Sequence, residues 1–284
     1  MPEQGGQPTV GQLLWIASYP KSGNTWVRAF LQNYIRDGAE PQNINDLMAL
    51  TTGESAASRY APFDPRPASR YSIADVQRMR PLVHRAMAAA RPGITFAKTH
   101  NALLVVAGVQ TITKEVTAGC IYILRDPRDV AVSFSHHLGI SLDRTIAFMA
   151  DPEAATGGTD DTVYVRLATW SAHVHFWTRR PHPTLHVMRY EDIRAAPEAA
   201  FAGLIRFLGS EPEPARLARA VGFSDFKTLR AQEDAHGFIE QPAASREAFF
   251  RQGMAGLWRD VLSAAQAARI ERDHGEIMRR FGYL

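Results

Sequence analysis

Short apolar runs alternate along the chain with stretches whose apolar residues recur at helical spacing. Leu13 to Ser18 is a strand-type run, followed by the polar turn Tyr19-Pro20-Lys21-Ser22-Gly23-Asn24-Thr25. Trp26, Val27, Phe30, Leu31, Tyr34 and Ile35 then repeat with helical periodicity, and Gly38 stands where that helix would stop. The same alternation predicts strands over Ile94–Lys98, Gly119–Leu124 and Leu185–Arg189. It predicts helices over Asn43–Leu50, Ser72–Arg91, from Asp126 through Leu138, and over Leu142–Ala150, Val163–Arg179, Pro197–Leu208 and Ala264–Arg280. Two short helices fall in 212–232. Ser72 with Asp75 carries an N-cap signal, and Pro92-Gly93 ends that helix. Leu103–Gly108 fits a helix or a strand equally. Thr51–Arg70, Asp151–Asp161 and 233–256 read as loops, the first long enough to border a binding pocket. Tyr190-Glu191-Asp192 closes the Leu185 strand. Strands alternating with helices imply an α/β fold: one domain over 12–284, with a central, mostly parallel sheet covered by helices on both faces. Residues 1–11 read as a flexible leader.

Composition narrows this picture. The chain has 284 residues, 45% of them hydrophobic, ample for one large core. Its net charge of +3 is spread along the sequence, which is no nucleic-acid footprint but suits anionic ligands. A single cysteine, Cys120, rules out an internal disulfide and points to a reducing compartment. The N-terminal residues lack the basic and apolar regions of a secretory signal. No apolar run reaches the ~18 residues of a membrane span. A cytoplasmic protein without a membrane partner is the expectation.

Strand, lysine-bearing turn and helix form an anion-binding layout. Backbone N–H groups of the turn and the helix N-terminus point at one spot, and Lys21 adds a positive charge. The turn lacks the GxxxxGK[ST] order of nucleotide triphosphatases, because Lys21 precedes Gly23. YPKSGNTW closely resembles YPKSGTTW, the 5′-phosphosulfate loop of sulfotransferases that use 3′-phosphoadenosine-5′-phosphosulfate (PAPS).

Other segments extend the resemblance from residue 13 to about residue 260. YILRDPRDVAVSFSHH, residues 122–137, resembles the family's 3′-phosphate segment and implies contacts from Arg125 and Ser133. FFRQGMAGLWRD, residues 249–260, resembles the C-terminal RKGxxGDW loop, so that Arg251, the backbone of Gln252 and Gly253 would close over the same phosphate. Gln252 stands where the family has lysine, and Leu257 where it has aspartate, which implies a weaker phosphate contact. The resemblance further puts Trp26 and Phe223 against the adenine faces and Tyr190 against its edge. A hydroxylated residue usual near Val221 is missing. Lys98-Thr99-His100 resembles the family's KTH segment. The implied fold is P-loop-like. The implied reaction moves a sulfuryl group from PAPS to a hydroxyl or amine of a small-molecule acceptor and releases adenosine 3′,5′-bisphosphate (PAP).

In that chemistry His100 is the base and Lys21 neutralises the leaving phosphate. Lys98 holds the sulfuryl oxygens, and Ser22, Gly23, Asn24 and Thr25 complete the cradle. Asn24 replaces a threonine but can donate through its amide. The histidines at 136–137, 173/175 and 182/186 lack partners at familiar ligand spacings, so no metal is expected. Cys120 reads as inert core. Two other readings are a small-molecule kinase and a nucleotide-binding module without turnover; the missing Walker lysine weighs against the first, Lys21 and His100 against the second. Residues 52–70, 138–162 and 233–248 would wall the acceptor pocket. Tyr60, Phe63, Phe148, Met149 and Phe238 there suggest an apolar or aromatic alcohol or phenol. The family's dimerisation segment is not recognisable, which leaves the oligomeric state open.

Overall fold

The apolar run Gln12–Ser18 (β1) is buried on both sides, because it is the middle strand of a five-stranded sheet. The computed structural model describes residues 11–241 and 248–284; residues 1–10 of the expected leader and 242–247 of one expected pocket wall lie outside them. After β1 come α1 (Asn24–Arg36), β2 (Thr51–Gly53), α2 (Ile73–Ala89), β3 (Ile94–Thr99), β4 (Thr117–Leu124) and α3 (Pro127–Leu138). Then follow α4 (Leu142–Met149), α5 (Trp170–Thr178), β5 (Leu185–Arg189), α6 (Tyr190–Ala195) and α7 (Pro197–Phe207). The remaining long helices are α8 (Pro214–Phe223), α9 (Phe226–His236) and α10 (Ala264–Arg280). The strand order is β2-β3-β1-β4-β5 and every pairing is parallel, as the alternation of elements predicts.

Strand periodicity divides the core between two faces. Leu13, Trp15 and Ala17 of β1 point to one side, into a cluster with Val76, Met79 and Val83 of α2, Trp170 and Val174 of α5, and Ile277 and Met278 of α10. Leu14 and Ile16 point to the other side and meet Val27, Phe30 and Leu31 of α1 and Phe201, Leu204 and Ile205 of α7. A parallel sheet with helices on both faces requires such runs. Its helices start where capping chemistry says they should: Ser72 forms a reciprocal capping box with Asp75, and Ser263 with Gln266.

Four expectations change and one open alternative is resolved. Val163–Arg179 is helical only as α5. Thr169 caps that helix, and the preceding residues alternate buried and half-buried, with Val165–Arg166 paired antiparallel to Ala155–Thr156. Leu103–Gly108 resolves toward a strand, through the two-residue pairing Val105–Val106 with Val109–Gln110. Tyr190 opens a short helix instead of closing a strand, and α9 carries helix on to His236. Thr51–Arg70 is more than a surface loop: it supplies β2 and places Glu54 and Tyr60 in the interior, both fully buried.

Glu54 is the reason that segment turns inward. Its carboxylate accepts from Arg80 of α2 at 2.6 Å, from Thr99 at 3.1 Å and from the Asn101 amide. Burial alone would raise its pKa, but Arg80 and His84 outweigh it and hold the group down at about 2. A depressed carboxylate contributes stability above its unfolded pKa of about 4.3, and that stability is lost as pH falls through the folded value. Glu54→Gln leaves Arg80 buried without a counter-charge and should destabilise the fold by about 3–5 kcal/mol at neutral pH. Denaturant melts would read this; an unchanged midpoint would mean that the pair contributes nothing.

Candidate functional site

Because all five strands run the same way, their carboxyl ends deliver chemistry to one edge of the sheet. Ser18 ends β1 and opens the loop 19–23; His100 follows β3, Arg125 follows β4, and Tyr190 follows β5. Register keeps them level: Ala17 is opposite Thr99 and Ser18 opposite Ile123.

The loop is built to receive an anion. Lys21 and Gly23 both take positive φ, 65° and 106°. That conformation is costly for lysine, and residues held in it cluster at ligand-binding sites. A Cβ at Gly23 would also lie 2.9 Å from the Tyr190 ring, so only glycine fits. Gly23 is the N-cap of α1 and supplies no side-chain cap, leaving the first-turn N–H groups facing the site. Ser22 Oγ is buried without a protein partner. Asn24 departs from expectation: its amide donates to the Ile16 carbonyl at 3.0 Å, so its side chain braces the loop.

Around the loop lies a cavity of about 930 Å³, lined by Lys21, Lys98, His100, Arg125 and Ser133, among others. His100 Nδ1 is 2.8 Å from the Ser18 carbonyl. A carbonyl only accepts, so Nδ1 carries the proton and Nε2 keeps its lone pair. Burial, reinforced by the positive charge of Lys98, pushes the imidazole pKa down to about 3, so it is neutral at physiological pH. Burial, with Arg125 and Lys98 nearby, lowers Lys21 to about 7. Its ammonium sits 3.6 Å from the centre of the Phe249 ring. Lys98 donates to Glu240 at 2.8 Å.

Arg125 lies 4.2 Å over the Tyr190 ring and donates to the carbonyls of Met254 (2.8 Å) and Lys21 (3.3 Å), while its Nε is buried without a partner. Those bonds join the glycine-rich loop to the strand end. Asp129 anchors the same loop by accepting from the backbone N–H groups of Gly256 (2.6 Å) and Trp258 (2.9 Å). Arg251, Gln252 and Gly253 all face the cavity. Gly253 has φ 62°, and a Cβ there would sit 2.1 Å from the Phe226 ring. Trp26 meets Tyr190 edge-on at 5.6 Å, and its Nε1 has no partner.

One aromatic assignment changes. Phe226, at the start of α9, lines the cavity, whereas Phe223, at the end of α8, does not. Between the two positions the buried Ser224 donates its hydroxyl to the Ala220 carbonyl at 2.8 Å. The rest of the cavity lining also differs in detail from the expected pocket walls. All three expected walls contribute, through residues such as Ser55, Thr156 and Ile239, but none of the five side chains singled out does. Tyr60, Met149 and Phe238 are core residues, Phe148 packs on Phe134, and Phe63 is exposed. Phe134, His137, Leu138 and Phe249 line it instead, with Thr156, Thr159 and Thr162 also on the wall. Burial, then Lys21 and Lys98, pushes His137 down to about 3, so it too is neutral. The Ser-His-His run of α3 could have flagged His137 as a pocket residue; Glu240, Asp129 and Phe249 carry no local signal.

Two further observations concern the described residues alone. No three His, Cys, Asp or Glu side chains converge in the manner of a metal site. No helix is long and apolar enough to cross a membrane.

Known proteins align with this geometry. The sequence model of the family described as "Sulfotransferase domain" matches residues 12–282. Over 278 residues the chain is 24% identical to sulfotransferase 1A1 of the dog, Canis lupus familiaris, covering 95% of this chain and 84% of the relative. It is 27% identical over 280 residues to cytosolic sulfotransferase 16 of Arabidopsis thaliana, covering 90% of this chain and 73% of that protein. Among solved structures, retinol dehydratase in complex with retinol and PAP superposes with a TM-score of 0.65 at 21% identity, covering 95% of this chain and 82% of that one. Its complex with androsterone and PAP gives 0.63 at 20% identity, covering 94% and 80%. At these identities the superpositions carry the fold.

Proposed function

The chain belongs to the sulfotransferase family of PAPS-dependent transferases, and from that premise we propose that it moves a sulfuryl group from PAPS to a hydroxyl of a small amphipathic molecule, with His100 as base and Lys21 at the leaving oxygen. One observation carries the reading. The uncapped start of α1 with Lys21, and a neutral imidazole with a free Nε2 lone pair, open into the same cavity at the carboxyl ends of the strands.

The buried, unpartnered atoms fit such a donor. Ser22 Oγ and the α1 N–H groups suit the 5′ anion, and Arg125 Nε with Ser133 and the Arg251–Gly253 loop suit the 3′-phosphate. Trp26, Tyr190 and Phe226 offer aromatic surface for the base. The donor supplies an activated sulfuryl group whose transfer state is loose, so charge placement matters more than nucleophile strength. His100 takes the acceptor's proton at Nε2 as the acceptor oxygen bonds to sulfur. Lys21 and the α1 N–H groups receive the charge on the phosphate oxygen as the S–O bond breaks. Lys98 sits beside the transferred group. Phe134, Leu138 and Phe249 suit an apolar acceptor body, and the threonines at 156, 159 and 162 suit a polar tail.

Titration calorimetry tests the donor class. PAP should bind in the micromolar range, and ATP on the order of 100-fold more weakly, because ATP lacks the 3′-phosphate that Arg125, Ser133 and the 251–253 loop would hold. Binding of ATP without binding of PAP would sink the reading in favour of a kinase.

A further inference from the structure

Glu240 lines the cavity together with Lys21, Lys98 and Arg125, and its position is defined in detail. Arg28 of α1 is completely buried, yet its guanidinium is fully engaged. Its Nε donates to Thr51 Oγ1 at 2.8 Å, and that hydroxyl donates to the Leu47 carbonyl at 2.8 Å. The other two nitrogens grip both oxygens of Glu240, at 3.0 and 2.7 Å. A bidentate fork fixes the direction of a carboxylate as well as its distance. Glu240 Oε2 then takes the Lys98 ammonium at 2.8 Å. Glu240 lies 142 residues from Lys98 and 212 from Arg28, so tertiary packing alone brings the three together.

We propose that Glu240, held by Arg28, is the positioning residue for Lys98: it aims the ammonium at the transferred group and keeps it charged. The idea rests on the sulfotransferase reading, because it assigns a partner to the lysine beside the sulfuryl group. Electrostatics support the geometry. Burial drives Lys98 toward the neutral amine, Glu240 opposes this, and Arg28 adds to the drive. Glu240 itself is held well below the usual carboxylate range by Lys98 and Arg28, despite its burial. The groups around Lys98 are Arg28 on α1, Lys21 in the anion loop, His100 after β3, His137 on α3 and Glu240 after α9. Both histidines are neutral, so among these described residues Glu240 is the group that opposes the positive charge around Lys98. Without it, Lys98 would face Arg28 and Lys21 and lose its proton at a lower pH.

A clamp that merely pins residue 240 to the core makes different predictions from a positioning residue. In full-length enzyme, Glu240→Gln keeps the shape and removes the charge. The alkaline limb of the kcat/KM profile should move down by roughly one pH unit. Turnover at pH 8 should fall on the order of 10²-fold, and PAP affinity at pH 6.5 should change less than about threefold. Glu240→Asp should restore the limb, which also separates the effect from misfolding. Lys21 feels Glu240 as well, so the Gln change is repeated in a Lys98→Arg background, where the charge at 98 is permanent. There the limb should no longer move. A limb that still moves would assign the effect to Lys21 and overturn the proposal. So would a wild-type limb in Glu240→Gln with a rate loss that only tracks its melting temperature. Wild-type turnover and PAP binding are the controls: their absence would instead refute the sulfotransferase reading.

Discussion

Replacing His100 with glutamine is expected to lower kcat by roughly 10²–10⁴-fold and to leave PAP affinity within about threefold. Glutamine can still donate to the Ser18 carbonyl, so the strand ends stay bridged, but it has no basic lone pair. Turnover within threefold of wild type would remove His100 from the base role. The pH profile adds an independent check. A lowered pKa preserves the base form down to lower pH, so the acid limb of kcat/KM, which reports the free enzyme, should show no imidazole break near 6.5. In the loaded complex the anionic donor favours the imidazolium and raises its pKa. The acid limb of kcat should therefore lie at higher pH than that of kcat/KM. The Ser18 carbonyl makes this possible: it holds Nδ1 protonated and leaves Nε2 as the only site for the acceptor's proton.

Lys21→Met should cost on the order of 10²–10³ in kcat, the usual loss when one stabiliser of transition-state charge is removed. It should also weaken donor binding, since the same charge meets the ground-state phosphate. Here the structure adds a pH signature. In the empty site Lys21 is pushed down to about 7, mainly by burial and then by Arg125 and Lys98. Above that pH the amine is largely neutral, and a bound anion would restore its proton. PAP binding by the wild type at pH 8 should take up protons, measurable from calorimetric enthalpies in buffers of different ionisation heat. Affinity should decline as pH rises from 7 to 9. In Lys21→Met that part of the proton uptake should vanish. Equal uptake in the variant and the wild type would place the titrating group elsewhere.

The backbone plan was largely legible in the sequence. β1, β3, β4 and β5 coincide with apolar runs, and α10 with the predicted Ala264–Arg280, because periodicity and caps are local properties of consecutive residues. At 163–169 the alternation Val-Tyr-Val-Arg-Leu lies directly beside a true helix, so its period of two is masked by the helical pattern that follows. The chemistry at the strand ends was legible for a related reason. In a parallel sheet any residue directly after a strand lands on one edge, so Lys21, His100, Arg125 and Tyr190 could be assigned to one site before their distances were known.

Local pattern in the chain is enough to specify a doubly covered parallel sheet with a lysine-bearing anion loop, a strand-end histidine and a strand-end arginine around it. The tertiary structure alone decided which partners those groups have. Glu240 meets Lys98 and Arg28 across 142 and 212 residues, and the Ser18 carbonyl meets His100 across 82. Phe226, at the start of α9, lines the cavity, and Phe223, at the end of α8, is not among its lining residues. Phe134, His137 and Phe249 line the cavity while the expected aromatics pack elsewhere. The physical reason is common to all of these. Local pattern specifies backbone conformation, but burial, proton placement and charge pairing depend on atoms brought together from distant parts of the chain.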